Sequence, residues 1–556
     1  MLSLGMTKTL RELPSAPTRA CALGARWLSG AALALAGSSA FAASGAEPAS
    51  VSEPSRRVIV PLGTAEDLPV SVTSIQLMGE IPPEIPLSEV SAILTEPRSL
   101  ARLSDLKALA QRIERLIQGR GYPFVYVLLP DQEIFNGRVR MLVVNGKIDR
   151  FVGLKGDPIR FSDERVQEYF RDLIQSGGFK RADFERTMLL LNDLPAMSAR
   201  LVLSPGGAPG LIDANLHVDQ GPFVRWSVNV NNHGAESTGS ERTTVNLKLN
   251  DISGRGDRLS VTLSRTSRNL SAGVLEYRTP IGVKGLMAQF TALYSAFGVD
   301  AGLNTLGIKG STQSAEAALT YPLAMRFSGR LYAEASATRR RAGNDIEMLD
   351  SMRKSMQLQR VGLRGSVSDG LLGGATSSLR LGLISASVSP ESGYSDTARR
   401  SFHEQTFELS RSQTLDQNTT LLMSMSGQRT RDVLDGSEQM SLGGVGGVRA
   451  YGAATLFADQ GNLYRLELTR VLAPDVAGLG RLRGFTFYDR GVAFIDPVAG
   501  GRNTIAGAGV GLSLMRWGHY EVRGTYARRI GMSTYGNLPD DQSRSGRFWL
   551  NLLAFF

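Results

Sequence analysis

The chain ends with the residues Phe548-Trp549-Leu550-Asn551-Leu552-Leu553-Ala554-Phe555-Phe556, in which apolar side chains recur at every second position. Successive side chains of a β-strand point to opposite faces, so residues of equal parity share one face. The apolar set on that face is Phe548, Leu550, Leu552 and Phe556. This segment therefore predicts a strand that turns one complete face toward an apolar environment.

The same period of two recurs along the chain from residue 221 onward. Apolar sets of this kind, separated by polar residues, are Val224-Trp226-Val228-Val230, Val245-Leu247-Leu249, Leu259-Val261-Leu263, Tyr464-Leu466-Leu468 and Tyr520-Val522-Gly524-Tyr526. Segments of about ten residues with one apolar and one polar face suit a wall between lipid and water. We count about sixteen such segments, and an even number lets the first and last strands pair without open edges. Residues 221–556 are therefore predicted to form a 16-stranded antiparallel transmembrane β-barrel.

A soluble β-sandwich is the alternative, because its strands also alternate. Two packed sheets would need a core of large side chains. Here the apolar faces are long, and several aromatic residues fall near segment ends, as in the girdles of membrane proteins. The barrel is therefore favoured. Its terminal pattern resembles the assembly signal of bacterial outer-membrane barrels, which implies two partners, the barrel-assembly machinery and outer-membrane lipids.

The first residues predict an export signal. Arg11, Arg19 and Arg26 give a basic leader, residues 27–36 form a short apolar stretch, and Ala40-Phe41-Ala42 fits a small-x-small cleavage site. We expect residues 1–42 to be a signal peptide that is removed. The single cysteine, Cys21, lies inside this leader, so the mature protein would contain no thiol and no disulfide.

Composition argues against helical membrane proteins and nucleic-acid-binding proteins. The chain has 556 residues, of which 42% are hydrophobic types, and its mean hydropathy is −0.08. No stretch after the leader reaches the roughly twenty apolar residues of a spanning helix. The net charge is +10, and removing the leader (four basic residues and one acidic residue, +3) leaves +7. These charges are scattered, which fits a polar lumen better than a nucleic-acid-binding surface.

No catalytic or metal-binding pattern stands out in the sequence. None of the histidines has metal-ligand spacing with another; they are His217, His233, His403 and His519. A Gly-x-Ser-x-Gly motif in a strand–turn–helix setting is also lacking. We therefore expect no enzymatic activity, no metal and no cofactor.

The residues between the leader and the barrel predict two soluble modules. Residues 43–69 are rich in Ala, Ser, Glu and Pro and suggest a linker or arm. Residues 70–146 show the order β-α-α-β-β, with a helical apolar stripe at 103–116. Residues 147–220 repeat that order, with Asp163 placed to cap a helix. We predict two α+β domains of one plan before the barrel.

Three groups of residues resemble one known family. They are Gly121-Tyr122 with Leu129-Pro130-Asp131-Gln132 in the first module, Leu190-Leu191-Asn192-Asp193-Leu194-Pro195 in the second, and Val448-Arg449-Ala450-Tyr451 with Phe487-Tyr488-Asp489-Arg490-Gly491 in the barrel. Each group alone is a weak signal, but the ordered set is similar to the two-partner secretion transporters. These haemolysin secretion/activation proteins belong to the POTRA-bearing β-barrel superfamily.

The resemblance implies both a function and a location. The two modules would be POTRA domains in the periplasm of a Gram-negative bacterium, and the barrel would lie in the outer membrane. The protein would secrete an unfolded partner exoprotein, such as a filamentous-haemagglutinin-like or haemolysin-like adhesin or toxin, and activation of that partner is a second option. The POTRA domains would bind this cargo and the barrel would conduct it.

In that family a loop folds back into the barrel and sets an arginine against an aspartate of the inner wall. Carried over here, the loop lies near residues 430–460, and Arg449 meets Asp489. The candidate residues are Val448, Arg449, Ala450, Tyr451, Phe487, Asp489 and Gly491. A carboxylate is costly on the lipid face, so Asp489 should face the lumen, where an arginine can donate two parallel hydrogen bonds. The alternative is that Arg449 is an exposed loop residue and Asp489 a solvated lumen charge.

The chain departs from the family pattern at two points. The family's glycine after the arginine is Ala450 here, which would be costly if that position required a positive φ. The family's Gly-Asp-x-Gly appears as Ala458-Asp459-Gln460-Gly461. Residues 43–69 show no long amphipathic helix, so a pore-plugging N-terminal helix is not predicted.

Two rival functions share parts of this plan. An assembly factor that inserts other barrels has POTRA domains and a similar loop, but usually more POTRA repeats. A simple diffusion porin would have no use for a periplasmic arm. Two repeats together with the Leu-Asn-Asp-Leu-Pro segment therefore favour secretion.

Overall fold

The computed structural model describes residues 58–59, 67–95, 102–155, 160–175, 178–208, 210–299, 308–345, 351–392, 401–453, 455–494, 501–531 and 545–556. They form two compact units. One contains the described residues up to 116 together with 127–144, and the other contains residues 117–126 and those from 145 to 556. The expected signal peptide and most of the expected arm lie outside the described residues.

The first α/β domain has the order β-α-α-β-β with an additional short strand. Its elements are β1 (Val58–Ile59), β2 (Ser74–Gly79), α1 (Leu87–Thr95), α2 (Leu103–Gly119), β3 (Val125–Leu128), β4 (Glu133–Ile134) and β5 (Arg138–Asn145). One sheet has the order β2-β5-β3, with β2 parallel to β5, and β1 pairs with β4. Helix α2 buries Leu106, Leu109 and Ile113 on one stripe, as its helical period predicts.

The second α/β domain repeats this plan. Its elements are β6 (Lys147–Lys155), α3 (Asp163–Gln175), α4 (Arg181–Asn192), β7 (Met197–Pro205) and β8 (Leu211–Gln220), and the sheet order is β6-β8-β7. The predicted cap of α3 was wrong by one residue. Ser162 Oγ accepts a hydrogen bond from the Arg165 backbone N–H at 3.2 Å, while Asp163 is the first helical residue. Serine and aspartate are equally good N-caps, so the sequence does not choose between them.

The described helices include none that is both long and apolar enough to cross a membrane.

The remaining strands form a closed antiparallel barrel and one short hairpin. The strands are β9 (Val224–Asn231), β10 (Arg242–Asn250), β11 (Arg258–Thr266), β12 (Leu270–Ile281), β13 (Leu286–Gly298), β14 (Lys309–Arg326), β15 (Gly329–Asp345), β16 (Met352–Asp369), β17 (Ala375–Ser392), β18 (Ser401–Thr414), β19 (Thr419–Thr430), β20 (Met440–Ser441), β21 (Phe457–Ala458), β22 (Gln460–Ala473), β23 (Arg481–Phe494), β24 (Arg502–Arg516), β25 (Tyr520–Arg529) and β26 (Gly546–Phe555). Sixteen of them close the barrel, with β20 and β21 forming the hairpin. The predicted fold class is confirmed.

The alternation seen in the sequence corresponds to the two faces of the barrel wall. Residues at the odd positions of β15, from Leu331 to Ala337, are apolar and face outward. The even positions between them carry Tyr332, Glu334 and Ser336, which face the lumen. Lipid solvates the outer set and water the inner set, so a shift of one residue in register would reverse both faces.

Strands β9 and β26 close the wall through the shortest pairing of the barrel. Five residue pairs are in register between them, whereas the next shortest neighbouring pairs have eight. Beyond this register, Phe556 N–H donates to the Trp226 carbonyl at 2.9 Å, and Trp226 N–H donates to the Phe556 carbonyl at 3.2 Å. Their rings stack with centroids 4.0 Å apart. Phe556 thus extends the short pairing of β9 with β26, which we call the seam of the barrel.

The second α/β domain contacts the start of β15 in the barrel wall through the end of α4. Asp193 accepts hydrogen bonds from Arg330 Nη1 at 2.5 Å and from Tyr332 Oη at 2.6 Å, both on β15. Asn192 binds its own domain, where its side chain donates to the Ala199 carbonyl and accepts from the Ala199 N–H. The Asn-Asp pair of the Leu-Asn-Asp-Leu-Pro segment therefore joins the domain hairpin to the barrel wall.

Replacing Phe556 by alanine should lower the fraction of assembled barrel, because it removes an aromatic pair worth about 0.5–1.5 kcal/mol from the shortest seam. The heat-modifiable gel migration of the membrane fraction measures that fraction. Phe555→Ala is the matched control, since its side chain lies on the opposite face of the strand. Equal assembly of the two variants would contradict a role for the stacked pair.

Candidate functional site

The segment between β19 and β22, described at residues 431–453 and 455–459, folds into the lumen as a loop. Val448 N–H donates to the Leu442 carbonyl at 2.7 Å, and Gly444 N–H donates to the Tyr451 carbonyl at 3.0 Å. Gly444 has φ +83°, a conformation that favours glycine. These bonds make the stretch 442–451 a compact fingertip, and Leu442, Val448 and Tyr451 are buried against the wall.

Arg449 lies at the fingertip and binds Asp489 of β23 with three donors. Its Nε donates to Asp489 Oδ2 at 2.8 Å and its Nη2 donates to Oδ1 at 2.8 Å. The backbone N–H of Arg449 also donates to Oδ2, at 3.1 Å. The Asp489 side chain is 0% exposed and that of Arg449 is 8% exposed. The structure thus brings together the two residues that the sequence pairs, in the two-pronged geometry that suits a guanidinium and a carboxylate.

Glu467 of β22 and Arg523 of β25 extend this pair into a charge network. Arg449 Nη1 donates to Glu467 Oε2, and Arg523 Nη2 donates to Glu467 Oε1 at 2.9 Å. Sequence reasoning did not select either residue. The alternation of β22 and β25 does assign both to the lumen face, but it cannot show that they meet across strands.

Aromatic side chains of the wall contact Arg449 and its charge network. The Arg449 guanidinium lies 3.5 Å from the Phe487 ring centroid, and that of Arg523 lies 3.9 Å from the Phe485 centroid. Trp549 of the final strand donates its Nε1–H to the Arg449 carbonyl at 2.7 Å. Because guanidinium groups stack favourably on aromatic faces, these contacts compensate part of the lost hydration of buried charge.

Small residues of the wall make room for the loop backbone. A Cβ at Gly491 would lie 3.2 Å from Val448, and a Cβ at Gly507 of β24 would lie 2.4 Å from the Ala450 methyl group. Ala450 is not among the described non-glycine residues with positive φ. The departure from the family's glycine is therefore accommodated by space at Gly507 rather than by an unusual backbone.

The first arm of the loop, which carries Asp435 and Glu438, is bound to another part of the wall. Arg340 of β15 donates to Glu438, and Lys354 of β16 donates to Asp435, which is 0% exposed. In the circular strand order, β15 is six strands away from β23. The loop therefore crosses the lumen, with acidic residues bound to a basic wall on one side and its arginine bound to an acidic wall on the other.

Asp459, the aspartate of the altered Ala458-Asp459-Gln460-Gly461 segment, closes the base of the loop. Its Oδ1 accepts hydrogen bonds from the Leu434 backbone N–H at 3.0 Å and from Gln439 Nε2 at 3.1 Å. This carboxylate joins the two arms of the loop where they leave β19 and β22. The aspartate thus has a structural use here although the first glycine of the family pattern is absent.

The docked loop tip keeps several charges away from water, with Arg449 and Asp489 buried and Glu467 mostly buried. Removing one partner of a buried ion pair leaves an uncompensated charge, which costs about 3–5 kcal/mol. Withdrawing the tip into water would instead hydrate Arg449, Asp489 and Glu467 together. The free-energy difference between the docked and the undocked loop would then be smaller than the cost of removing one partner. Ion pairs of this kind stabilise the docked loop, and water could replace them if the loop moved.

The sequence also makes predictions for metal binding and for barrel assembly. In the part of the chain that the structure describes, no group of three or more His, Cys, Asp or Glu side chains is placed to hold a metal ion. The predicted assembly residues lie together on the outer face of β26 and its end, exposed to lipid: Phe548, Leu550, Leu552 and Phe556.

Comparison with known proteins identifies the family. The sequence model described as "Haemolysin secretion/activation protein ShlB/FhaC/HecB" matches residues 210–514, more than half of the 556 residues. The chain belongs to this family. A second model, "POTRA domain, ShlB-type", matches residues 71–146. The protein is therefore an outer-membrane β-barrel transporter of the two-partner secretion class, with its POTRA region in the periplasm, as predicted.

Individual relatives agree with this assignment along most of their length. The chain is 24% identical over 509 residues to the heme/hemopexin transporter protein HuxB of Haemophilus influenzae (strain 86-028NP), covering 88% of each chain. It is 21% identical over 384 residues to the outer membrane transporter CdiB of Dickeya dadantii (strain 3937), covering 66% of each. The solved structure of CdiB from Escherichia coli has a similar fold, with a TM-score of 0.72 at 19% identity over 89% of this chain and 92% of that chain.

Replacing Gly507 by alanine should loosen the fingertip, because the new methyl group would meet that of Ala450. Overpacking of this kind costs about 1–3 kcal/mol. External protease should then cleave the loop faster in Gly507→Ala than in the wild type. The double variant with Ala450→Gly should restore most of the protection, since the new methyl group would still lie 3.1 Å from the Arg528 carbonyl oxygen. Gly501→Ala is the control, since a Cβ there meets no atom within 4 Å. Faster cleavage in both single variants, or no rescue, would contradict this packing.

Proposed function

We propose that this protein secretes one large partner exoprotein, which passes unfolded through the barrel when the Arg449 loop leaves its docked position. The docked loop carries the proposal. Its tip is bound to β23 and its first arm to β15, six strands away, so it occupies the lumen that an extended chain would need. Export directed by residues 1–42 as a removable signal peptide and assembly through the C-terminal pattern are part of the same proposal.

The POTRA domains supply sites where an extended chain can begin to bind. In the first domain β2 pairs only with β5, and in the second β6 pairs only with β8, so each sheet has an edge strand within the described residues. An extended segment can add to such an edge through backbone hydrogen bonds, while shallow side-chain pockets select its sequence. Leu77 and Met78 of β2 offer apolar contacts beside that edge.

The wall offers a polar path after the POTRA domains. Lumen-facing side chains alternate with lipid-facing ones along every strand, so a translocating backbone meets hydrogen-bonding groups instead of lipid. We propose that folding of the exoprotein outside the cell makes passage directional, because a folded domain is more stable than its unfolded chain by about 5–15 kcal/mol.

The names of the relatives suggest the kind of cargo. HuxB is a heme/hemopexin transporter protein, and CdiB is an outer membrane transporter. We propose that the partner of this protein is likewise a large exported protein, encoded beside it, of the adhesin or toxin type. Co-expression with that neighbouring protein, scored by its release into the medium, tests the function as a whole.

Replacing Arg449 by alanine should change secretion while leaving barrel assembly intact. The substitution removes both side-chain hydrogen bonds to the buried Asp489, while Glu467 keeps Arg523 as a partner. Loss of one partner of a buried ion pair costs about 3–5 kcal/mol, which destabilises the docked state. We expect higher single-channel conductance in planar bilayers and altered release of the co-expressed partner, at equal amounts of heat-modifiable barrel.

Arg431→Ala is the matched control for this experiment, because Arg431 belongs to the same loop but is exposed. It should match the wild type in conductance and in secretion. Arg449→Ala with wild-type conductance and wild-type secretion would contradict the gate, whereas failure of the wild type to release any neighbouring partner would contradict the transport function.

A further inference from the structure

A groove lies on the outer surface of the barrel wall, away from the lumen and its loop. It has a volume of about 620 Å³ and runs across β11 to β15. Small residues form its floor, namely Gly273, Ala292 and Ala315, while larger ones form its sides, namely Leu263, Leu275 and Tyr294. One end is lined by Arg339 and Arg341 of β15. An apolar channel therefore ends beside two guanidinium groups.

Both arginines point outward. The register pairs Arg339 with Ala315 and Arg341 with Gln313, and all four residues are exposed on the face that carries the apolar residues of β15. The residue between them, Arg340, points inward and binds Glu438 of the loop. The alternation of a β-strand thus separates two outward charges from one lumen charge within a single tripeptide.

The arginines lie at the height where hydrocarbon ends on the extracellular side. Counting from Gly329 at the periplasmic turn, Arg339 is ten residues along β15. At about 3.3 Å per residue and a strand tilt of about 40°, it stands about 25 Å above that turn. The apolar band of such barrels is about 25 Å tall, so Arg339 marks its upper edge and Arg341 stands just above.

On the neighbouring strands β14 and β16, the outward residues change from apolar to polar at a similar height. Outward residues of β14 are apolar from Tyr321 to Ala315 and then become polar at Gln313. On β16 the outward residues change from Val361 to Gln359. The sequence therefore places the boundary between acyl chains and headgroups at the arginines.

The arginines are not neutralised by the acids near them. Glu391 of β17 lies 3.7 Å from Arg341 Nε, with both side chains well exposed to solvent. An exposed pair of this length contributes little binding energy. The outward side of β16 adds Arg353 near the extracellular end. Among the described residues on this face, Arg339, Arg341 and Arg353 outnumber Glu391 and Asp345, so this part of the rim carries net positive charge.

We propose that this groove binds an outer-leaflet lipid with a phosphorylated headgroup. An acyl chain lies along the apolar floor, and the phosphate is held by Arg339 and Arg341 at its end. Guanidinium groups bind phosphate through paired, charge-assisted hydrogen bonds, which strengthen where water is scarce. A protein ligand is not favoured, because the floor of the groove lies on the lipid-facing side of the wall.

The test uses the purified full-length protein in detergent with lipid A that carries its phosphates. Native mass spectrometry measures bound lipid per barrel. The double variant Arg339→Gln with Arg341→Gln should bind this lipid about tenfold more weakly, a factor that corresponds to 1.4 kcal/mol. Dephosphorylated lipid A should bind the wild type as weakly as the intact lipid binds the variant. Millimolar inorganic phosphate should not compete.

Arg360→Gln is the matched control. It removes one arginine from β16 on the lumen face, so lipid binding should stay at the wild-type level. Heat-modifiable migration checks that every variant is folded, and a double variant that does not fold is replaced by Arg339→Lys with Arg341→Lys, which should bind partially. Wild-type binding by the folded glutamine variant, equal binding of dephosphorylated lipid, or competition by free phosphate would each overturn the proposal.

Discussion

Backbone hydrogen bonding in lipid is the constraint on which this structure depends. An unpaired N–H or C=O group in the hydrocarbon layer costs several kcal/mol, so a spanning sheet has to close on itself. Here the closure rests on the short register between β9 and β26, extended by the backbone bonds and stacked rings of Trp226 and Phe556. Once the wall is closed, alternate side chains must line an interior shielded from lipid, and this interior is where the charges of the strands collect.

The interior then imposes its own requirement, because buried charges need partners. The wall carries acidic groups on β22 and β23 and basic groups on β15 and β16, and the loop between β19 and β22 presents the complementary charges to each. Asp489 accepts three hydrogen bonds from one loop residue. The same interactions that satisfy the wall therefore fill the lumen, and a protein-conducting pore must be able to exchange them for water or for cargo.

Much of the fold could be predicted from the sequence, because a period of two over many strands indicates a sheet with one apolar and one polar face. This alternation assigned the residues of each strand to the lumen or to the lipid face, and it placed Asp489 in the lumen. Contacts across strands could not be predicted in this way. Glu467 and Arg523 were on the correct face, but their meeting depends on the register of four strands. The cap of α3 and the space that Gly507 leaves for Ala450 likewise depend on distances that a linear pattern does not contain.

The central claim is that the loop must leave its docked position for the partner to pass, and a disulfide tests this most directly. Cysteines at Val448 and Gly491 form the test pair, because a Cβ at Gly491 would lie 3.2 Å from Val448 Cγ2, and the single native cysteine, Cys21, falls in the expected leader. The measurement is release of the co-expressed partner by this variant under oxidising and reducing conditions. The account predicts no release when the loop is locked and recovery after reduction; equal release in both states would contradict it.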